Sequence, residues 1–221
     1  MAKHKNYSNT DIMNWKFKTV PVTEEWRPHL GQISEGFRMM IEGPSGHGKT
    51  EYTLRLAKML AQHYGKVNYN STEQGRSASF QQAWIRNKMN EIAPGKIMVS
   101  SKEKKQVEPW FESLLRPNSG RVIILDSVDY MELKFPQFKD FEKALKHKNI
   151  VVVCWNDPMS DVSKKIKYMC DVKVEVENYV ATVRNRFGGN QDYVIWNDWK
   201  KNRTNPLQPT LFDQGKEAEH A

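Results

Sequence analysis

The clearest chemistry in the chain lies in eight consecutive residues, Gly43, Pro44, Ser45, Gly46, His47, Gly48, Lys49 and Thr50. They fit G-x-x-x-x-G-K-[ST] at every fixed position. Glycines at that spacing let the backbone wrap closely around phosphates with its N–H groups pointing inward. Lys49 would neutralise the β- and γ-phosphates of a nucleotide, and the Thr50 hydroxyl would coordinate Mg²⁺. The motif has meaning only between a strand and a helix, and the flanking sequence predicts both. Phe37 to Glu42 (FRMMIE) is a short apolar run leading into the loop, while Thr53, Leu56, Ala57, Leu60, Ala61 and Tyr64 follow at helical spacing. Gly65 then stands where a helix C-cap is expected.

Two acids could complete the site. Asp126 ends the apolar run RVIILD. A carboxylate at such a strand end faces the loop and can hold the Mg²⁺ shell, directly or through water; a helix-capping Asp is the alternative. Glu73 follows another strand-like run in VNYNSTEQG. An acid there could orient and deprotonate an attacking water, which would separate an ATPase from a kinase, although a surface Glu after a strand is ordinary.

Alternating strands and helices must position these groups. Val67 to Ser71 reads as a second strand, Phe80 to Ile92 as a helix stopped by Pro94-Gly95, and Lys96 to Ser100 as a third strand. Val107 to Arg116 reads as a helix closed by the turn Pro117-Asn118-Ser119-Gly120, and Val122 to Asp126 as a fourth strand. Phe138 to Lys146 is helical in pattern, Ile150 to Cys154 is a fifth, β-branched strand, and Val162, Ile166 and Met169 mark one more helix. Val172 to Val176, Ala181 to Arg184 and Tyr193 to Trp196 then suggest a terminal β-hairpin region. This order predicts an α/β fold with a mostly parallel central sheet covered by helices on both faces. Residues 1–35 form a polar N-terminal extension, with Trp15, Phe17 and Trp26 expected to pack against the edge of the core. Residues 36–199 form the main domain, and 200–221 lack periodicity and read as a flexible tail.

With 221 residues, 38% hydrophobic and 27% charged, the composition suits a soluble protein with one substantial core. No apolar run approaches the length that crosses a bilayer, and no apolar segment backs the basic N-terminus as a signal peptide would require. The two cysteines, Cys154 and Cys170, form no CxxC pair, so neither a disulfide framework nor a zinc site is expected and a reducing cytoplasm is the default. Net charge is +8 with a pI near 9.3, which favours polyanionic partners such as DNA or RNA.

The series GPSGHGKT, NYNSTEQG, RVIILDSVDY and IKYMCDVKVEVENYVATVRNRFGG resembles the ATPase core of the RecA superfamily, nearest to its RadA/Sms and KaiC-type branch. That branch carries a glutamate after the second strand, an Asp-Ser after the fourth, and a Lys-Asn-Arg-Phe-Gly signature late in the domain. Here the signature reads Arg184-Asn185-Arg186-Phe187-Gly188, with Arg replacing the leading Lys. The resemblance spans roughly residues 30 to 196 and implies a RecA-like ATPase domain using ATP and Mg²⁺. It implies that Glu73 is the catalytic carboxylate. It also implies that Arg184 and Arg186 reach the γ-phosphate of ATP held by a neighbouring subunit of a ring or filament, unless they simply line a basic surface strand. Asn156 falls where related ATPases place a γ-phosphate sensor, or is a loop cap. Trp155, Lys164, Lys165 and Lys167 fall where RecA-type proteins hold single-stranded DNA, or form a solvated lysine face. The chain lacks the N-terminal zinc module and C-terminal protease-like domain of RadA/Sms, and GNQDYVIWNDW after the signature departs from the usual pattern.

In the tail, Gln208, Leu211 and Phe212 within QPTLF resemble the Q-x-x-L-F peptide that docks bacterial replication and repair proteins on the sliding clamp. The expected function is a Mg²⁺-dependent ATPase acting on DNA in recombination, repair or replication, of bacterial or phage origin. The rivals are a P-loop nucleotide or small-molecule kinase and a non-hydrolysing, ATP-switched replication accessory protein.

Overall fold

The computed structural model describes residues 6–197. Eight strands, β1 (Arg38–Glu42), β2 (Val67–Ser71), β3 (Ile97–Ser100), β4 (Val122–Asp126), β5 (Asn149–Cys154), β6 (Val172–Glu177), β7 (Val180–Asn185) and β8 (Tyr193–Val194), form one sheet. Their order is β3-β2-β4-β5-β1-β6-β7-β8. The first six in that order are parallel, and β7 and β8 add to the edge antiparallel. The helices are α1 (Asn9–Met13), α2 (Arg27–Leu30), α3 (Lys49–His63), α4 (Ala78–Arg86), α5 (Val107–Leu114), α6 (Phe135–Ala144) and α7 (Asp161–Met169).

Strands β1, β4 and β5 are buried along their whole length, so their sequences read as continuous apolar runs. Successive side chains alternate between two cores. Met39, Ile41, Val151 and Val153 pack with Leu54, Leu56 and Leu60 of α3 on one face. Met40, Ile150 and Val152 pack with Phe138 and Phe141 of α6 and Ile166 of α7 on the other. Each fully buried Leu, Ile or Met contributes about 1.5–3 kcal/mol, which ties both helical layers to the sheet. The expected α/β architecture, a mostly parallel sheet flanked by helices with a C-terminal hairpin region, is the observed one.

Four local expectations are corrected. The helix expected over Phe80 to Ile92 ends at Arg86 and gives way to a 3-10 turn, Met89–Glu91. Asn87 stops it: its Nδ2 donates to Ala83 O and Glu51 Oε2, its Oδ1 accepts from Arg55, and Lys88 follows in a left-handed conformation. The helix expected from Phe138 begins at Phe135, because Pro136 fits a first turn that needs no N–H and Gln137 caps Lys134 N. Gly65 is no left-handed cap. Tyr64 ends α3, and a Cβ at Gly65 would stand 3.2 Å from Arg121 Cδ, so this glycine serves a close approach. Of the three N-terminal aromatics expected at the core, only Trp26 enters it, beside Val20, Val22, Leu30 and Ile33; Trp15 and Phe17 are 46% and 72% exposed. Helix α1 buries none of its residues, and Tyr7, Trp15 and Phe17 stack edge-on against one another instead.

Candidate phosphate-binding and catalytic site

Residues 43–50 link the C-terminal end of β1 to the first turn of α3, as the motif requires. At Gly43, with φ 152°, a Cβ would lie 2.1 Å from Val176 O of β6, so only glycine lets the loop leave the sheet there. The β6–β7 turn presses on the same loop. Asn178 N donates to His47 Nδ1 at 3.1 Å, Tyr179 N donates to His47 O at 3.0 Å, and the Tyr179 ring covers Gly48. Helix α3 opens at Gly48 with no side-chain cap, leaving first-turn N–H groups facing the loop. An uncapped N-terminus of a 15-residue helix is a ready donor set for an anion.

Lys49 is buried, and its Nζ donates to Gly43 O at 2.7 Å and Pro44 O at 2.8 Å. Burial lowers its pKa, while the negative field of Glu73, Asp126, Cys154 and Asp129 acts in the other direction. Thr50 Oγ1 accepts from Gln74 Nε2 at 3.0 Å. Asp126, at the end of β4, is buried and accepts from Tyr69 Oη at 2.5 Å. Burial pushes its pKa up to about 6; the Tyr69 hydrogen bond opposes this, Glu73 adds to it, and Lys49 offsets it.

The loop after β2 is folded onto the end of β4 by its backbone. Thr72 N and Glu73 N both donate to Asp126 O, at 2.5 and 3.3 Å. That brings Glu73 and Gln74 to the C-terminal edge of the sheet beside Asp126 and Thr50. Among the described residues, four buried side-chain atoms lack a partner: Glu42 Oε2, Ser71 Oγ, Gln74 Oε1 and Asn156 Oδ1. All four belong to residues at or just past the C-terminal ends of β1, β2 and β5, where ligands bind open α/β sheets. No group of three or more His, Cys, Asp or Glu among the described residues is arranged to hold a metal alone. The Thr50 hydroxyl and the Asp126 carboxylate are oxygen ligands of the kind Mg²⁺ takes, one or two from the protein with phosphates and water completing the shell.

Other expected residues lie elsewhere. Arg184 and Arg186, on and just after β7, are exposed and do not meet the loop of their own chain; Arg186 lies 3.7 Å from Asp171. They line a pocket of about 360 Å³ with Lys173, Glu175 and the Lys167–Glu42 ion pair, so Lys167 is drawn away from Lys164 and Lys165. Cys154 and Cys170 are free and buried. Gln208, Leu211 and Phe212 lie outside the described residues. The sequence pattern assigned no role to Tyr69 or Gln74 and placed Trp155 only at a candidate DNA surface, not against Glu73, although Gln74 adjoins Glu73 and Tyr69 faces inward from a strand already identified.

The profile of a family described as NTPase matches residues 38–187, a stretch that contains the loop, both acids and both arginines. A search of curated proteins by sequence finds no match. Among solved structures, the chain is similar to the flagellar accessory protein FlaH from Methanocaldococcus jannaschii, with a TM-score of 0.57 and 17% identity. The similarity covers 79% of this chain and 91% of that one, and it shows a RecA-like fold. No helix among the described residues is long and apolar enough to cross a membrane.

Proposed function

The chain belongs to the NTPase family, and from that membership we propose that it binds ATP with Mg²⁺ and hydrolyses it. The observation that carries this reading is the meeting of Lys49, Thr50, Asp126 and Glu73 at one edge of the sheet. Lys49 and the amides of residues 46–50 bind the phosphates, and Thr50 and Asp126 hold the metal. When bound, Mg²⁺ neutralises charge on the phosphate oxygens. Glu73 orients a water and accepts its proton, the role that distinguishes hydrolysis from transfer to another substrate.

The finer reading is a RadA- or KaiC-like ATPase that works on single-stranded DNA in recombination, repair or replication. Exposed Tyr130 and Trp155, with Lys165 nearby, offer stacking and charge of the kind single strands use. Arg184 and Arg186 act on a neighbour's nucleotide, and the tail residues Gln208, Leu211 and Phe212 suit a sliding-clamp pocket. Turnover of ATP with and without an oligothymidylate tests this. A switch protein binds but does not turn over, and a kinase turns over only with an acceptor. Lys49→Ala should abolish ATP binding; undiminished nucleotide affinity in that variant would place the phosphates elsewhere.

A further inference from the structure

The side chain of Glu73 has one hydrogen-bond donor among the described residues: the indole Nε1 of Trp155, 3.4 Å from its Oε2. Trp155 is the first residue after β5, and its backbone N–H donates to Asp129 Oδ2 at 3.1 Å. Asp129 Oδ1 accepts from Ser160 Oγ at 2.9 Å and Ser163 Oγ at 3.1 Å. The loops after β4 and β5 and the start of α7 thus form one hydrogen-bonded unit that reaches Glu73 through a single indole.

The same indole faces solvent. Trp155 is 37% and Tyr130 48% exposed, with their rings edge-on at 5.2 Å. Beside them a groove of about 730 Å³ runs past Leu133, Phe135, Pro158 and Met159. The acids at its rim are engaged, Asp129 with the two serines and Glu132 with Lys104. Lys134 and Lys165 at the same rim have no carboxylate partner among the described residues, and Lys165 Nζ lies 5.8 Å from the Phe135 ring centroid. Paired aromatics, unpaired lysines and a chain charge of +8 fit an extended polyanion with bases to stack, which is a single-stranded nucleic acid.

We propose that Trp155 is a positioning residue that restrains Glu73 in the resting protein, and that a single strand stacking on Tyr130 and Trp155 turns the indole and releases the carboxylate. This rests on Glu73 being the base. An N–H donated to a carboxylate oxygen occupies a lone pair needed for a water proton and fixes the direction in which the carboxylate faces. A 3.4 Å bond sits near the limit of hydrogen bonding, so a base stacked on the ring can redirect it.

The test starts in nucleotide-free protein labelled with ¹⁵N at tryptophan indoles, the Trp155 resonance being identified by its loss in Trp155→Phe. Glu73→Ala should shift that resonance, and adding oligothymidylate to the wild type should shift it too, with oligouridylate as the parallel arm for RNA. Trp155→Phe, which keeps a ring but lacks the N–H, should raise nucleic-acid-free ATP turnover several-fold and shrink its stimulation. An indole resonance indifferent to Glu73→Ala overturns the restraint, and one indifferent to both oligonucleotides overturns the release. So does a Trp155→Phe protein with a lowered Tm but wild-type stimulation, the result of mere packing. Glu73→Gln with undiminished turnover would instead remove the base assignment, a failure distinct from an unmoved indole.

Discussion

Tyr69 shows what a residue can contribute without touching phosphate. Its hydroxyl donates to the buried Asp126 carboxylate, and it is the largest influence opposing the upward push of burial on that acid. Tyr69→Phe removes only this hydrogen bond, so the Mg²⁺ concentration giving half-maximal turnover should rise about tenfold, as other outer-shell losses do. A magnesium titration of the variant that overlays the wild type would mean the hydroxyl serves packing alone. Under the proposed role of Glu73 as the base, Glu73→Gln should keep ATP binding while slowing hydrolysis by about two to four orders of magnitude; single-turnover rates read this directly. Lys49, Thr50 and Asp126 were legible in the sequence because a loop motif and the end of an apolar run are local features. Gln74 was not, nor was the tie of Trp155 to Glu73. Their contacts, to Thr50 and Glu73, join residues 24 and 82 positions apart, and only the sheet order makes them neighbours.

Between elements, His29 is the joint that sequence pattern could not announce. It lies at 1% exposure in α2, with Nδ1 2.6 Å from Gln191 O and Nε2 2.8 Å from Tyr52 Oη in the first turn of α3. A carbonyl can only accept, so Nδ1 carries the proton and Nε2 of the neutral ring accepts from Tyr52. One imidazole thereby ties the N-terminal segment, the helix behind the phosphate loop and the strap after β7. Burial lowers its pKa below 6.5, outweighing the opposing effects of the Gln191 hydrogen bond and the Asp192 charge. The unfolded chain therefore binds the proton more readily, and this part of the stability is present above pH 6.5 and lost as pH falls below it. Urea midpoints should drop between about pH 7.5 and about pH 5.5, and His29→Gln should flatten that slope; equal slopes in both proteins would count against it. The strands were readable because fully buried β-branched runs such as Ile150 to Val153 have few other homes. Their order was not, since nothing local places β5 between β1 and β4. Likewise the stop at Asn87 depends on partners in α3 that a helical window does not contain.

At the scale of the whole molecule, two arginines of the outer hairpin stand apart from the phosphate loop of their own chain, one of them 3.7 Å from Asp171. Arg184 and Arg186 sit on the outer hairpin, exposed and away from Lys49 of the same chain, and both belong to the RNRFG segment. A cation that stabilises a transferring phosphoryl group must approach it, so under the proposed role these arginines reach a second copy's nucleotide. The proposed contact, repeated head to tail, would be a heterologous interface that closes into a ring or extends as a filament. Turnover per subunit should then rise with protein concentration. Arg186→Ala subunits keep an intact phosphate loop but donate no arginine, whereas Lys49→Ala subunits donate an arginine but bind no ATP. Each variant alone should be nearly inactive. In an equal random mixture, half the sites have an intact loop and half of those face an intact arginine, so activity should recover to about a quarter of wild type. A mixture no more active than the sum of its parts, or wild-type turnover independent of concentration in a monomer, would mean that each chain hydrolyses ATP unaided and that the basic hairpin serves another partner.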